Sequence, residues 1–196
     1  MKSYENELDE ILDVVIKLAW SHTILCALFE KKDADRQVRE IHQEFFITIY
    51  DSLLCGFCTT TALLFSEKEK ATSICNLIRD IQQSKPELAK KLNEKICVNK
   101  SLIKKAEDIR HQACAHRWKA KTPHEVFAEA GLRLNMMKEI VELTRFVICE
   151  LVEEVGKENP EKQQLSKETL QRVADDASQV MRAFETGGAC QQIETN

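Results

Sequence analysis

Residues 45–66 read FFITIYDSLLCGFCTTTALLFS, twenty-two positions with a single charge, Asp51. The run is long enough to cross a bilayer. It also contains Tyr50, Asp51, Gly56 and the polar triplet Thr59-Thr60-Thr61, which a lipid-facing segment would not favour. We therefore read it as the central helix of a soluble bundle, apolar all round because neighbours surround it. Five glycines and three prolines among 196 residues support that reading, since sandwiches and barrels need many turns rich in both. Charged residues at 31% and hydrophobic ones at 43% mark a globular chain rather than a disordered one. The sequence predicts an all-α fold without a membrane span.

Outward from that run, helices follow in both directions. Upstream, Leu8, Ile11, Leu12, Val15, Leu18, Ala19, His22, Leu25, Cys26 and Phe29 recur at steps of three and four, with Ser3 as N-cap and Glu5, Glu7, Asp9 and Glu10 near the positive end. Lys31-Lys32-Asp33 breaks the chain. The second helix spans about Asp35 to Phe65, with Val38, Ile41, Phe45, Ile49, Leu53 and Gly56 on one face. After Ser66-Glu67-Lys68-Glu69, Ile74, Leu77, Ile78 and Ile81 form a short helix. Ser84-Lys85-Pro86-Glu87 has capping-box spacing and opens the next, through Leu88, Leu92, Ile96 and Cys97. The chain bends near Asn99, and Leu102, Ile103, Ala106, Ile109, Ala113 and Cys114 resume the pattern. Thr122-Pro123-His124-Glu125 caps a short helix that Gly131 ends, and Asn135 caps a long one through Val155. Residues 157–186 carry a further amphipathic helix (Leu170, Val173, Ala174, Ala177, Val180, Met181, Phe184), and 187–196 a disordered tail.

The start, MKSYENELDE, has no apolar run behind a basic end, which predicts an unexported, cytoplasmic protein with reduced cysteines. Cys55-Gly56-Phe57-Cys58 lacks a second pair to complete a zinc shell and lacks the βαβ setting of a redox motif. Two small polarizable side chains in a buried helix explain it. No metal or cofactor is expected. His22 and His42 lie on or beside apolar stripes and read as satisfied interior or interface histidines.

The charge is unevenly placed. Between Lys100 and Lys121 lie Lys100, Lys104, Lys105, Arg110, Arg117, Lys119 and Lys121 against Glu107 and Asp108; seven against two gives +5, which leaves −9 on the rest of a chain whose total is −4. A positive segment on an acidic body attracts polyanions that the mean charge would repel. Within it, residues 106–118 (AEDIRHQACAHRW) set Arg110, His111, His116, Arg117 and Trp118 at a helix end. The spacing from Arg110 to His116 is not distinctive alone, since Arg36/His42 and Arg117/His124 share it or nearly so. The polar residue after the arginine, the Ala-His step and the charge setting distinguish it.

An arginine followed by a polar residue and, some positions on, by Ala-His near a helix end resembles the signature of the HEPN superfamily, closest to its abortive-infection (AbiU-like) branch. Phe45-Phe46, the 61–65 and 72–78 stretches, and the long helix to Glu154 also resemble that group, so the likeness covers residues 1–156. Two positions depart from it: Ser66-Glu67 stands where an acidic residue often follows the second helix, and Trp118 stands where relatives regulated by a nucleotidyltransferase carry the modified tyrosine. An indole has no hydroxyl to accept that modification.

The resemblance implies a HEPN-like up-down helical bundle with an extra C-terminal helix, and metal-independent RNA cleavage at a site built across a homodimer. Arg110 and His116 would then be catalytic, with His111 as a further proton carrier, and an antitoxin or other protein partner is expected. The residue chemistry is compatible: imidazole exchanges protons near neutral pH, and guanidinium pairs with two phosphate oxygens. Six positions place Arg110 and His116 about 240° apart on a helix, so either the helix ends first or a second subunit completes the set. Trp118 would stack on an unpaired base, with Arg117, Lys119 and Lys121 on the backbone; equally, Trp118 would pack against the bundle end. The rival readings are a catalytically silent HEPN-like module that binds RNA or protein, and a structural adaptor in which Arg110 pairs with Glu107 or another carboxylate.

Overall fold

The computed structural model describes residues 4–29, 42–115 and 123–156, with positions 164, 168, 171, 175 and 179 beyond them. Among these residues the fold is an all-α bundle of seven helices with no strand. Helix α1 (Tyr4–Phe29) buries Leu8, Ile11, Leu12, Val15, Leu18, Leu25 and Cys26, while Asp9, Asp13 and Lys17 face solvent. That is the stripe its three-and-four periodicity predicts. It packs against α2 (Gln43–Leu64) and against the long α7 (Leu134–Gly156).

Helix α2 departs from expectation. Its core face is Leu54, Phe57, Cys58, Thr61 and Leu64. The buried Thr61 hydroxyl donates to the Phe57 carbonyl at 2.9 Å, so it enters the core satisfied. The face carrying Phe45 and Gly56 points outward instead: Phe45 is 60% and Leu63 50% exposed. Neighbours cover one side of α2 and do not surround it. Its predicted first turns, 35–41, lie outside the described residues, as does Ser3.

The link from α2 to α3 (Ile74–Ile81) is held by side chains. Ser73 caps α3, its Oγ accepting from the Asn76 amide and donating to the Ser66 carbonyl at 2.6 Å. The Asn76 side-chain amide donates to the carbonyls of Lys68 and Ala71, both at 2.7 Å. Every donor of Asn76 is thereby used, which fixes the turn geometrically. Helix α4 (Pro86–Val98) begins with proline at its first turn, where the missing N–H costs nothing. The predicted capping box does not form: Lys85 is the N-cap, and the Ser84 hydroxyl bonds back to the Ile81 carbonyl. Asn99 makes the bend, its side chain on the Lys95 carbonyl, and α5 (Lys100–Ile109) follows.

Helix α6 (Pro123–Ala130) ends at Gly131, whose φ of +62° is open to glycine without strain. Helix α7 starts at Leu134, so Asn135 sits inside the first turn rather than capping it. Ile140, Leu143, Val147, Ile148, Leu151 and Val152 make α7 the other main wall of the core. Across its outer edge, Lys85 pairs with Glu154 and Lys91 with Glu150, at 2.8 and 2.7 Å. Lys91 and Lys95 also sit over the Phe146 ring. Beyond α7, Gln164, Glu168, Gln171, Asp175 and Gln179 are helical and exposed. The other side chains predicted for that helix, the Gly187-Gly188 stop and the tail lie outside the described residues.

Candidate functional site

Helix α5 carries the candidate segment. Ile103, Ala106 and Ile109 are buried and hold one face against α2, while Lys104 is exposed and pairs with Asp108 at 2.9 Å, four residues on. At Arg110 the hydrogen-bond pattern changes. Residues Arg110–Ala115 form a π-helical turn, packed against α2, α5 and α6. A π turn accommodates an extra residue at the expense of helical hydrogen-bond geometry, and such turns occur frequently at functional sites. Nothing in the residue types of this segment announces it; the periodicity of Ala106, Ile109 and Ala113 predicts an ordinary helix.

The turn presents two of the predicted residues to solvent. Arg110 is half-exposed and His111 exposed, with buried Ile109 and Ala113 on either side as anchors. The Arg110 amide bonds to the carbonyls of Ala106 and Glu107. Among the described residues the Arg110 guanidinium takes part in no ion pair; Asp108, the other nearby carboxylate, is bridged to Lys104. Of the partners the adaptor reading allows Arg110, Glu107 forms no ion pair with it among the described residues. His116, Arg117, Trp118, Lys119 and Lys121 lie outside the described residues. The structure thus brings Arg110 and His111 together at one turn and leaves the rest of the predicted set without a described position.

The other candidates resolve structurally. His22 Nε2 lies 3.3 Å from the Leu134 carbonyl and 3.4 Å from Cys26 Sγ, a half-buried histidine bonded where α1 crosses the start of α7. His42 is exposed and not an interior residue; it precedes α2 and makes no side-chain cap bond. Cys55 and Cys58 are free thiols on α2, half-buried and buried. Burial, and then the neighbouring Cys55, pushes the Cys58 thiol far above the ordinary thiol range. Burial likewise pushes Cys75 up to about 11, and its Sγ donates to the Phe65 carbonyl. Thiols so raised are poor nucleophiles and poor metal ligands. Among the described residues no group of three His, Cys, Asp or Glu side chains is placed to hold a metal ion.

One feature has no counterpart in the sequence reading, and another extends what the 45–66 run already suggests. An open cavity of about 230 Å³, lined by Glu7, Glu69, Lys70, Asn76, Arg79 and Asp80, lies where α1 meets the α2–α3 link. Further, both α1 (Asn6–Leu28) and α2 (Gln43–Leu64) are long and apolar enough to cross a membrane by length and composition. Both also contribute to the core described above. Comparison with known proteins returned no matching family model, no matching curated protein and no matching solved structure.

Proposed function

We propose that this chain is a HEPN-type endoribonuclease acting in phage defence or as a toxin in the cytoplasm, with paired Arg110 and His116 of a homodimer facing a shared basic cleft. The observation that carries the reading is a half-exposed arginine, uncommitted to any carboxylate among the described residues, at the start of a π turn inside the one positive stretch of an acidic chain. In the proposed reaction the ribose 2′-hydroxyl loses its proton to an imidazole and attacks the adjacent phosphorus. The bond to the 5′-oxygen breaks, and a second imidazole protonates that oxygen. The products are a 2′,3′-cyclic phosphate and a 5′-hydroxyl end. Arg110 neutralises the phosphoryl oxygens as charge accumulates on them. His111 adds a second proton carrier next to the guanidinium.

The test is incubation of purified protein with structured and unstructured RNA, with and without a chelator. Cleavage that survives chelation, leaves cyclic-phosphate ends and disappears in His116→Ala is the expected result. Equal cleavage by parent and variant would remove the site assignment, and dependence on added metal would remove the mechanism.

A further inference from the structure

The cavity beside the α2–α3 link is walled by polar and charged side chains from three elements. Glu7 belongs to α1, Glu69 and Lys70 to the link, and Asn76, Arg79 and Asp80 to α3. Arg79 and Asp80 stand three and four residues beyond Asn76, one turn on and on the same face. Thr72, also on the wall, donates to Glu10 Oε2 at 3.1 Å and so ties the link to α1. Among the described residues none of the five charged side chains forms an ion pair or a side-chain hydrogen bond. Carboxylates and cations thus share one hollow without neutralising one another directly. Three carboxylates against two cations give it a formal charge of −1.

Asn76 gives a second, independent sign of a ligand. It is 9% exposed, both protons of its amide go to the carbonyls of Lys68 and Ala71, and its Oδ1 accepts no hydrogen bond. A buried acceptor without a donor is unfavourable, and native structures seldom keep one. The two donated bonds hold the amide, so the oxygen cannot turn away to find a donor elsewhere. We propose that this cavity binds a free basic amino acid of the lysine and ornithine class. Its ammonium groups donate to Asn76 Oδ1 and to the carboxylates of Glu7, Glu69 and Asp80, and its carboxylate pairs with Arg79 and Lys70. A plain anion would leave three carboxylates facing it, and a diamine would leave two cations. A ligand of net +1 that carries both signs answers both. At about 230 Å³ the space is smaller than the roughly 300–1,000 Å³ of pockets for drug-sized ligands, and suits one amino acid. Ala71 is the one apolar side chain among the lining residues, which disfavours an apolar ligand. A bare metal ion is disfavoured too, because these carboxylates are not grouped to hold one. None of residues 110–115 lines the cavity, so the inference does not depend on the ribonuclease reading.

Isothermal titration calorimetry of the full chain with L-lysine and L-ornithine at pH 7 tests the site. One ligand per chain is expected. Norleucine, which lacks the side-chain ammonium, and cadaverine, which lacks the carboxylate, should each bind roughly tenfold more weakly or worse. Arg79→Gln should weaken lysine by roughly tenfold and leave cadaverine unchanged, whereas Asp80→Asn should weaken both. Arg79 and Asp80 are exposed, so both variants keep the core, and circular dichroism checks that they do. Lysine should also raise the melting temperature of the parent, as any ligand held only by the folded state does. No binding of lysine at about 10 mM would overturn the site. So would norleucine or cadaverine binding as tightly as lysine, or Arg79→Gln binding lysine as the parent does. A chain that binds lysine and cleaves no RNA keeps this site and loses the ribonuclease reading; one that cleaves RNA and ignores lysine does the reverse.

Discussion

Arg110 separates a chemical role from a structural one, because its side chain is half-exposed and bears no ion pair among the described residues. Replacement by lysine keeps the charge but not the planar fork that grips two phosphate oxygens. We expect Arg110→Lys to lower the initial rate of RNA cleavage by roughly 10- to 100-fold and to leave the melting temperature within a degree or two of the parent. A large fall in melting temperature would mean that the arginine holds the fold instead. The buried thiols make a separate prediction about pH. Burial raises Cys75 to about 11 and Cys58 further, from an ordinary value of 9.0, so the folded chain keeps these protons where the unfolded chain sheds them. Their contribution is complete below pH 9 and declines above it, at up to ~1.4 kcal/mol per pH unit for a fully buried thiol. Cys75, being partly exposed, gives less and stops contributing near pH 11. Urea melts between pH 8 and 10.5 should show a shallower alkaline decline for Cys58→Ala than for the parent; identical slopes would refute the assignment.

At the scale of elements, what sequence periodicity resolves depends on contrast. Helix α1 sets Asp9, Asp13 and Lys17 against its apolar stripe, so the inward face is unambiguous: Leu8, Ile11, Leu12, Val15, Leu18, Leu25 and Cys26 are buried as read, with Ala19 and His22 half-buried at its edge. Helix α2 offers one charge in twenty-two residues of the run it dominates, so two apolar faces compete and the pattern favours the outward one. Only packing against α1 and α5 decides between them. The π turn is hidden for a different reason: an inserted residue is set by what surrounds a helix end, and the 3.6 period carries no mark of it. The stop at Gly131, in contrast, is local chemistry and is readable. Gly131 has φ +62° and nothing within 4 Å of an added Cβ, so Gly131→Ala meets no clash and costs only left-handed strain. That strain is about 1 kcal/mol. Gly131→Asn, which tolerates this region better, should cost roughly half as much; chemical denaturation of both distinguishes conformation from packing, since a packing effect would make the larger asparagine worse.

For the whole molecule, the arrangement of charge decides how a chain of net −4 meets a polyanion at all. The +5 stretch from Lys100 to Lys121 begins on α5, where Lys100 and Lys104 are exposed, and the remaining −9 is spread over the rest of the sequence. At long range an acidic body repels RNA. At short range a positive segment, duplicated if two copies associate, releases condensed counterions from the strand. The balance between them is tuned by salt, because repulsion from the body acts across distances that exceed the screening length of roughly 10 Å at 0.1 M. Single-stranded RNA binding should weaken as salt rises, with a log–log slope of about −0.7 for each phosphate neutralised. Lys119→Glu combined with Lys121→Glu removes two such contacts if those lysines hold the backbone, which makes the slope shallower by about 1.4. The parent and the double variant should therefore differ most at low salt and converge near 0.5 M. Filter-binding titrations from 50 to 500 mM salt on an uncleavable 2′-deoxy strand measure both slopes without interference from turnover. Parallel lines would assign the two lysines to the solvated surface and return the positive segment to the ordinary role of a helix face.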